Sequence, residues 1–195
     1  MKAAWYTKTG KACDVLKLGQ LENPELSAGD VLVELKASGI NPSDVKTRAG
    51  ARGDLQFSRV IPHSDGSGEI VDVGKGVDKS RIGERVWLWN AAFGRANGTC
   101  AEFISIPESQ AVKINSNVSY DSAACMGIPA STAYYGVLAN GSVENKTVLI
   151  SGGAGAVGFY GIQLAKLSGA NVITTVSSDE KAKVADDAGA DKIIN

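Results

Sequence analysis

The sequence has little of what would mark a disulfide-knit, membrane-spanning or nucleic-acid-binding protein. Its three cysteines, Cys13, Cys100 and Cys125, stand far apart. Such spacing offers neither a disulfide framework nor the paired thiolates of a zinc ribbon, and a reducing, cytoplasmic setting is the expectation that follows. There is a single histidine, His63. No apolar run reaches about 18 residues, and the opening MKAAWYTKTG lacks the charged-then-apolar layout of an export signal, so neither a membrane span nor export is expected. With 20 basic against 21 acidic residues the net charge is −1, and no basic cluster provides a footprint for nucleic acid or an anionic membrane. No internal repeat or low-complexity tract interrupts the chain. These absences leave a small molecule as the expected partner.

What is present is an ordinary globular composition, 195 residues of which 44% are hydrophobic, enough for one large domain or two small ones. The densest local signal is GGAGAVG, Gly152 to Gly158. It lies between an apolar strand, Thr147 to Ile150, and a helix-patterned segment, Phe159 to Leu167. Within it Gly153, Gly155 and Gly158 form G-x-G-x-x-G, the pattern of a dinucleotide-phosphate turn. One glycine serves the tight turn, one the approach of a pyrophosphate and one close helix–strand packing. A helix starting here aims free N–H groups, including those of Ala156 and Val157, and its positive dipole end at an anion.

The following strand, Asn171 to Val176, indicates which dinucleotide. Folds that prefer NAD place a carboxylate about 20 residues beyond the turn, where it holds the ribose 2′-hydroxyl. At that distance from Gly158 stands Ser177, followed by Ser178, Asp179, Glu180 and Lys181. A hydroxyl with an ammonium close behind suits a 2′-phosphate, which favours NADPH. The competing account is that Ser178 or Asp179 caps the next helix and Lys181 is solvated.

Up to about Pro107 the chain is rich in short β-like runs, Val31 to Leu35, Glu69 to Val73, Arg85 to Leu88 and Glu102 to Ile106. The stretches 77–81 and 90–97 read as loops. After Asn117 come helix patterns, Tyr120 to Met126 behind a Ser119 N-cap and Ser131 to Leu138 after Pro129. Strand, glycine turn, helix, strand, helix (Glu180 to Ala188) and a β-like stub, Lys192 to Ile194, then follow. The expected architecture is α/β: a β-rich domain over 1–118, then over 119–195 the βαβαβ half of a doubly wound sheet.

The phrases ASGINPSDVKTRAG (Ala37 to Gly50), GSGEIVDVG (Gly66 to Gly74) and GIPASTAYYG (Gly127 to Gly136), followed by the glycine turn, occur in the order found in one family. The whole chain resembles a zinc-free medium-chain dehydrogenase/reductase, most of all the quinone oxidoreductase branch that includes zeta-crystallin. The resemblance implies a GroES-like front domain and a dinucleotide-binding (Rossmann) back domain. In zinc-dependent members a Cys, a His and a Cys hold a catalytic metal. Those positions fall here on Asn41, Ser64 and Ile128, none a good zinc ligand, while His63 stands one residue off register. The structural zinc lobe of the family needs four cysteines, and Asn90 to Cys100 has one. No metal site is expected.

Without a Lewis acid, hydride transfer to an electron-poor acceptor is easier than alcohol oxidation. The resemblance therefore implies NADPH-dependent reduction of a quinone or conjugated enone, driven by orientation and exclusion of water. It places Asn41 where its amide could donate to developing negative charge, and Thr132 where its hydroxyl could fix the nicotinamide ring. Their competing roles are a turn residue before Pro42 and simple helix packing. Asp65 matches an acidic family position with a structural or a functional role. Lys46 and Arg52 stand where several quinone reductases carry tyrosines, as acceptor-site cations or surface residues. An enoyl-thioester or alkenal reductase and a non-catalytic, crystallin-like NADPH-binding protein are the alternatives. Family members are longer, so the expectation is an incomplete chain, weak in binding by itself, with an open sheet edge compatible with homo-oligomer formation.

Overall fold

The computed structural model describes Met1–Asn195. The chain divides into two compact units, Met1–Ile128 and Pro129–Asn195.

In the first unit a small antiparallel pair, β1 (Lys2–Trp5) and β2 (Lys17–Gln20), flanks the one-turn helix α1 (Ala12–Val15). The main sheet is built on the long strand β3 (Asp30–Gly39) and on β4 (Asp65–Val73), with helix α2 (Pro42–Arg48) between them in the chain. With β5 (Arg85–Leu88), β6 (Phe103–Pro107) and β7 (Ala111–Lys113) it forms the antiparallel order β6-β3-β4-β5-β7. Period-two alternation sends Val31 and Val33, Val86 and Leu88, and Ile104 and Ile106 to one face. There, with Ile70, they form a core in which each is at most 1% exposed. Burying each such side chain contributes roughly 1.5–3 kcal/mol.

All four strands expected in this half are present. Two are longer than expected: β3 runs on to Gly39 and β4 starts at Asp65. These extensions carry glycine and polar residues, which mask the apolar alternation but pair as Ser38 with Gly66 and Gly39 with Asp65. The stretch 77–81 is a loop closed by a 3₁₀ turn, Lys79–Arg81, whose Ser80 N–H is capped by Asp78. Helix α2 was not expected. Asn41 is its N-cap, Pro42 lies in its first turn and Asp44 reaches back to the Asn41 N–H at 2.8 Å, half of a capping box. Helix α3 (Tyr120–Ala124) starts after the Ser119 cap as expected. The first unit extends past residue 118 because α3 packs on its sheet. Ser67 Oγ donates to the Tyr120 carbonyl at 2.6 Å, and the Arg85 guanidinium lies 4.4 Å from the centre of the Tyr120 ring.

Helix α4 (Gly127–Leu138) begins earlier than the expected Ser131, with Pro129 in its first turn, where a missing N–H breaks no helical bond. In the second unit β8 (Thr147–Ile150), α5 (Ala156–Leu167), β9 (Asn171–Thr175), α6 (Asp179–Asp187) and β10 (Lys192–Ile194) follow in the expected βαβαβ order. The strands form a parallel sheet, β10-β9-β8. Its core joins Ile162 and Ala165 of α5 to Val172 of β9 and Ala185 of α6, all 0% exposed. No helix is long and apolar enough to cross a membrane.

Candidate functional site

The glycine turn joins β8 to α5, and its helix begins at Ala156 rather than Phe159. The tight bend falls on Gly152, whose φ of +69° lies in the left-handed region that L side chains resist. Sequence pattern had assigned the bend within the G-x-G-x-x-G triplet, and Gly152 stands just before it. Gly153 has the packing role: a Cβ there would run into Thr174 Oγ1 and stand 2.8 Å from Ile162 Cδ1. Gly158 faces the turn itself, with Gly153 Cα 2.9 Å from where its Cβ would be. Gly155 is the N-cap and is exposed; beside it only the Gly152 carbonyl comes near. The turn is pinned to β9 by Gly152 N–H donating to Thr175 Oγ1 at 3.1 Å and Gly153 N–H to the Thr175 carbonyl at 3.0 Å.

Phe159 N–H is the first in α5 to reach a carbonyl one turn back, that of Gly155 at 2.8 Å. The N–H groups of Ala156, Val157 and Gly158 precede it, at the positive end of a 12-residue helix. An open Gly155 and three helix-start donors fit a dinucleotide pyrophosphate.

At the end of β9 the structure brings Ser177 and Lys181 together, with Lys181 Nζ donating to Ser177 Oγ at 2.8 Å. Ser178 is the N-cap of α6 and accepts from the Lys181 N–H at 3.3 Å. The neighbouring carboxylates have other partners. Asp179 accepts from Asn195 Nδ2 at 2.9 Å, and a hydrogen bond from Ser178 lowers the pKa of Glu180.

In the first unit, Asn41 and Asp65 are 5% and 1% exposed. Asp65 Oδ2 accepts from Asn41 Nδ2 and from the Ile128 N–H, both at 2.8 Å. Burial raises the Asp65 pKa against the lowering effect of those two bonds, and burial likewise raises that of Asp44. Lys46 and Arg52 are exposed, and the Arg52 charge lowers the Asp44 pKa. Thr132 is exposed on α4 in the second unit.

His63 belongs to a different network. Its Nδ1 lies 2.9 Å from Ser38 Oγ, which lies 2.8 Å from Thr99 Oγ1, which donates to the Asp65 carbonyl at 2.6 Å. Because Thr99 spends its proton on a carbonyl, Ser38 must donate to Thr99, and His63 Nδ1–H donates to Ser38. Burial lowers the His63 pKa.

Residues 27–116 match the alcohol dehydrogenase GroES-like domain, and 156–195 match the zinc-binding dehydrogenase domain. The chain belongs to the medium-chain dehydrogenase/reductase family. An alcohol dehydrogenase of Geobacillus stearothermophilus is 32% identical, over all of this chain and 63% of its own length. A 2-methylene-furan-3-one reductase of Solanum lycopersicum is 33% identical, over all of this chain and 52% of its own. The crystal structure of Escherichia coli quinone oxidoreductase complexed with NADPH superposes with a TM-score of 0.86 at 27% identity, covering all of this chain and 58% of that one. The chain thus spans little more than half the length of such relatives.

As a medium-chain dehydrogenase/reductase, this chain presents a carboxamide, a hydroxyl and a hydrocarbon side chain at Asn41, Ser64 and Ile128. That is not a zinc donor set, and the Asn41 amide nitrogen is turned toward a carboxylate. His63 Nδ1 is committed to Ser38. Besides Gly152, the sequence left Thr175 and Asp44 unread. The Asn-Pro-Ser-Asp order was a usable capping signal for Asp44, whereas nothing local marks Thr175.

Proposed function

We propose that the protein carrying this chain reduces quinones or related conjugated carbonyl compounds with NADPH and without zinc, in a cytoplasmic setting. The observation that carries this is the Asn41–Asp65 pair, a buried amide held by a carboxylate where zinc-dependent relatives hold a metal. When bound, NADPH supplies the hydride. The residues of the chain hold and orient. Gly155 and the N–H groups of Ala156, Val157 and Gly158 take the pyrophosphate; Ser177 and Lys181, with Ser178 supporting the helix start, take the 2′-phosphate. Asn41 donates to the acceptor oxygen as negative charge develops, and Thr132 fixes the nicotinamide. An amide is a weaker electrophile than zinc, which suits acceptors that are already electron-poor. The NADPH complex of the bacterial quinone oxidoreductase supports the cofactor and the acceptor class. The tomato reductase supports the wider class, since a 2-methylene-furan-3-one is itself a conjugated enone.

The test is to follow NADPH oxidation by the full-length protein with a quinone, an alkenone and an enoyl thioester. Turnover of the quinone or alkenone is expected. Preference for the thioester would move the assignment to an enoyl-thioester reductase. NADPH binding without turnover of any of the three would leave a non-catalytic, crystallin-like binder.

A further inference from the structure

The pairing of Gly39 with Asp65 and Ser38 with Gly66 puts the Asp65 side chain on the face of the sheet opposite the Ser38 hydroxyl. The His63–Ser38–Thr99 chain and the Asp65 carboxylate therefore occupy opposite faces. On its own face Asp65 sits in a slot that two glycines keep open. A Cβ on Gly127 would collide with Asp65 Oδ1, and one on Gly39 would collide with the Ala124 carbonyl and stand 3.1 Å from Asp65 Cβ. Inside this slot only one carboxylate oxygen is used. Oδ2 takes both donors, Asn41 Nδ2 and Ile128 N–H, while Oδ1 has no partner.

We propose that Asp65 is a positioning residue for Asn41, anchoring one hydrogen of its carboxamide so that the other is aimed at the oxygen of the acceptor. This rests on the role given above to Asn41. Two donors converge on Oδ2, so that oxygen is an acceptor whether or not Oδ1 carries a proton. The Asn41 amide presents its nitrogen to this oxygen. Because the amide group is planar, fixing one N–H direction fixes the second. The Asn41 backbone is fixed as well, by its N–H bond to Asp44 Oδ2. Asn41 is thus held at main chain and side chain by two carboxylates, and the cost of misaiming such a group is up to about a hundredfold in rate.

The experiment uses the full-length protein. Asp65→Ala should lower kcat with the quinone or enone about tenfold to a hundredfold, with the NADPH dissociation constant unchanged. Asp65→Asn should recover most of that loss, since its carbonyl oxygen can accept both bonds. In an Asn41→Ala background, Asp65→Ala should lower kcat no further. An equal fall in both backgrounds, or an Asp65→Asn as impaired as Asp65→Ala, would overturn the proposal. Should Asp65→Ala not fold, Gly127→Ala displaces the carboxylate with every polar group retained; a severalfold lower kcat is expected, and an unchanged one overturns the proposal. Failure of the functional assignment is told apart by nitrogen NMR of the Asn41 side chain, which needs no turnover. Its two amide protons should be well separated in the wild type and converge in Asp65→Ala or Gly127→Ala; no change on substitution overturns the anchoring.

Discussion

Lys181 and Ser177 make a small bipartite grip whose worth depends on what it meets. Both are exposed, so their mutual hydrogen bond adds little to folding. A 2′-phosphate would gain charge-assisted bonds from both. Lys181→Ala should weaken NADPH binding about tenfold or more and NADH binding hardly at all, measured by fluorescence titration of each nucleotide; equal losses would remove Lys181 from phosphate recognition. His63 allows a second check, because it is the only histidine of the chain. Burial places its folded pKa below the ordinary 6.5. The unfolded chain therefore takes up a proton first as the pH falls, so stability is fully present above about 6.5 and declines through the window down to the lowered folded value. Thermal unfolding midpoints should fall across that window in the wild type, and His63→Gln should flatten the slope.

At the scale of elements, several helix starts are met by a polar side chain of their own or of a distant strand. The Asp44 carboxylate serves α2, the Ser178 hydroxyl serves α6, the Asp65 carboxylate meets α4 through Ile128, and α5 has glycine and no capping side chain. The N-terminus of α5, which no side chain caps, is the one the phosphate turn presents. Ser178→Ala should cost about 1 kcal/mol of stability, read in denaturant titration. Gly152→Ala should cost about 1–2 kcal/mol, because a Cβ resists its positive φ, and should also weaken nucleotide binding. Element type was legible where periodicity was clean, as in Arg85–Leu88 and Thr147–Ile150, where the expected and observed bounds coincide. It was not legible in α2 and β7. A seven-residue helix and a three-residue strand are too short to show a period, and both depend on tertiary partners.

At the scale of the whole chain, each unit has its own core and its own part of the proposed chemistry: the amide cluster lies in Met1–Ile128 and the phosphate turn in Pro129–Asn195. With no zinc donor set at Asn41, Ser64 and Ile128, dialysis of the full-length protein against a strong chelator should leave NADPH-dependent turnover unchanged. Loss of activity that zinc restores would overturn the metal-free mechanism. Nucleotide binding at a hundredfold excess over its dissociation constant should stabilise the protein by about 2.7 kcal/mol, seen as a raised melting temperature.

The sequence by itself determined what is encoded locally. Alternating apolar residues specify β3, β5 and β6, the glycine run specifies a phosphate turn, and Ser177 and Lys181 fall within one helical turn of each other. The side-chain types at Asn41, Ser64 and Ile128 likewise settle which donors are available. Only the tertiary structure decided that Gly39, Asn41, Asp65, Gly127 and Ile128 meet around one carboxylate, that Gly152 takes the left-handed bend, and that His63 lies on the other face of the sheet from Asn41. The physical reason is range. Propensity and periodicity act over a few residues, whereas strand register and the slot between two glycines come from segments far apart in the chain.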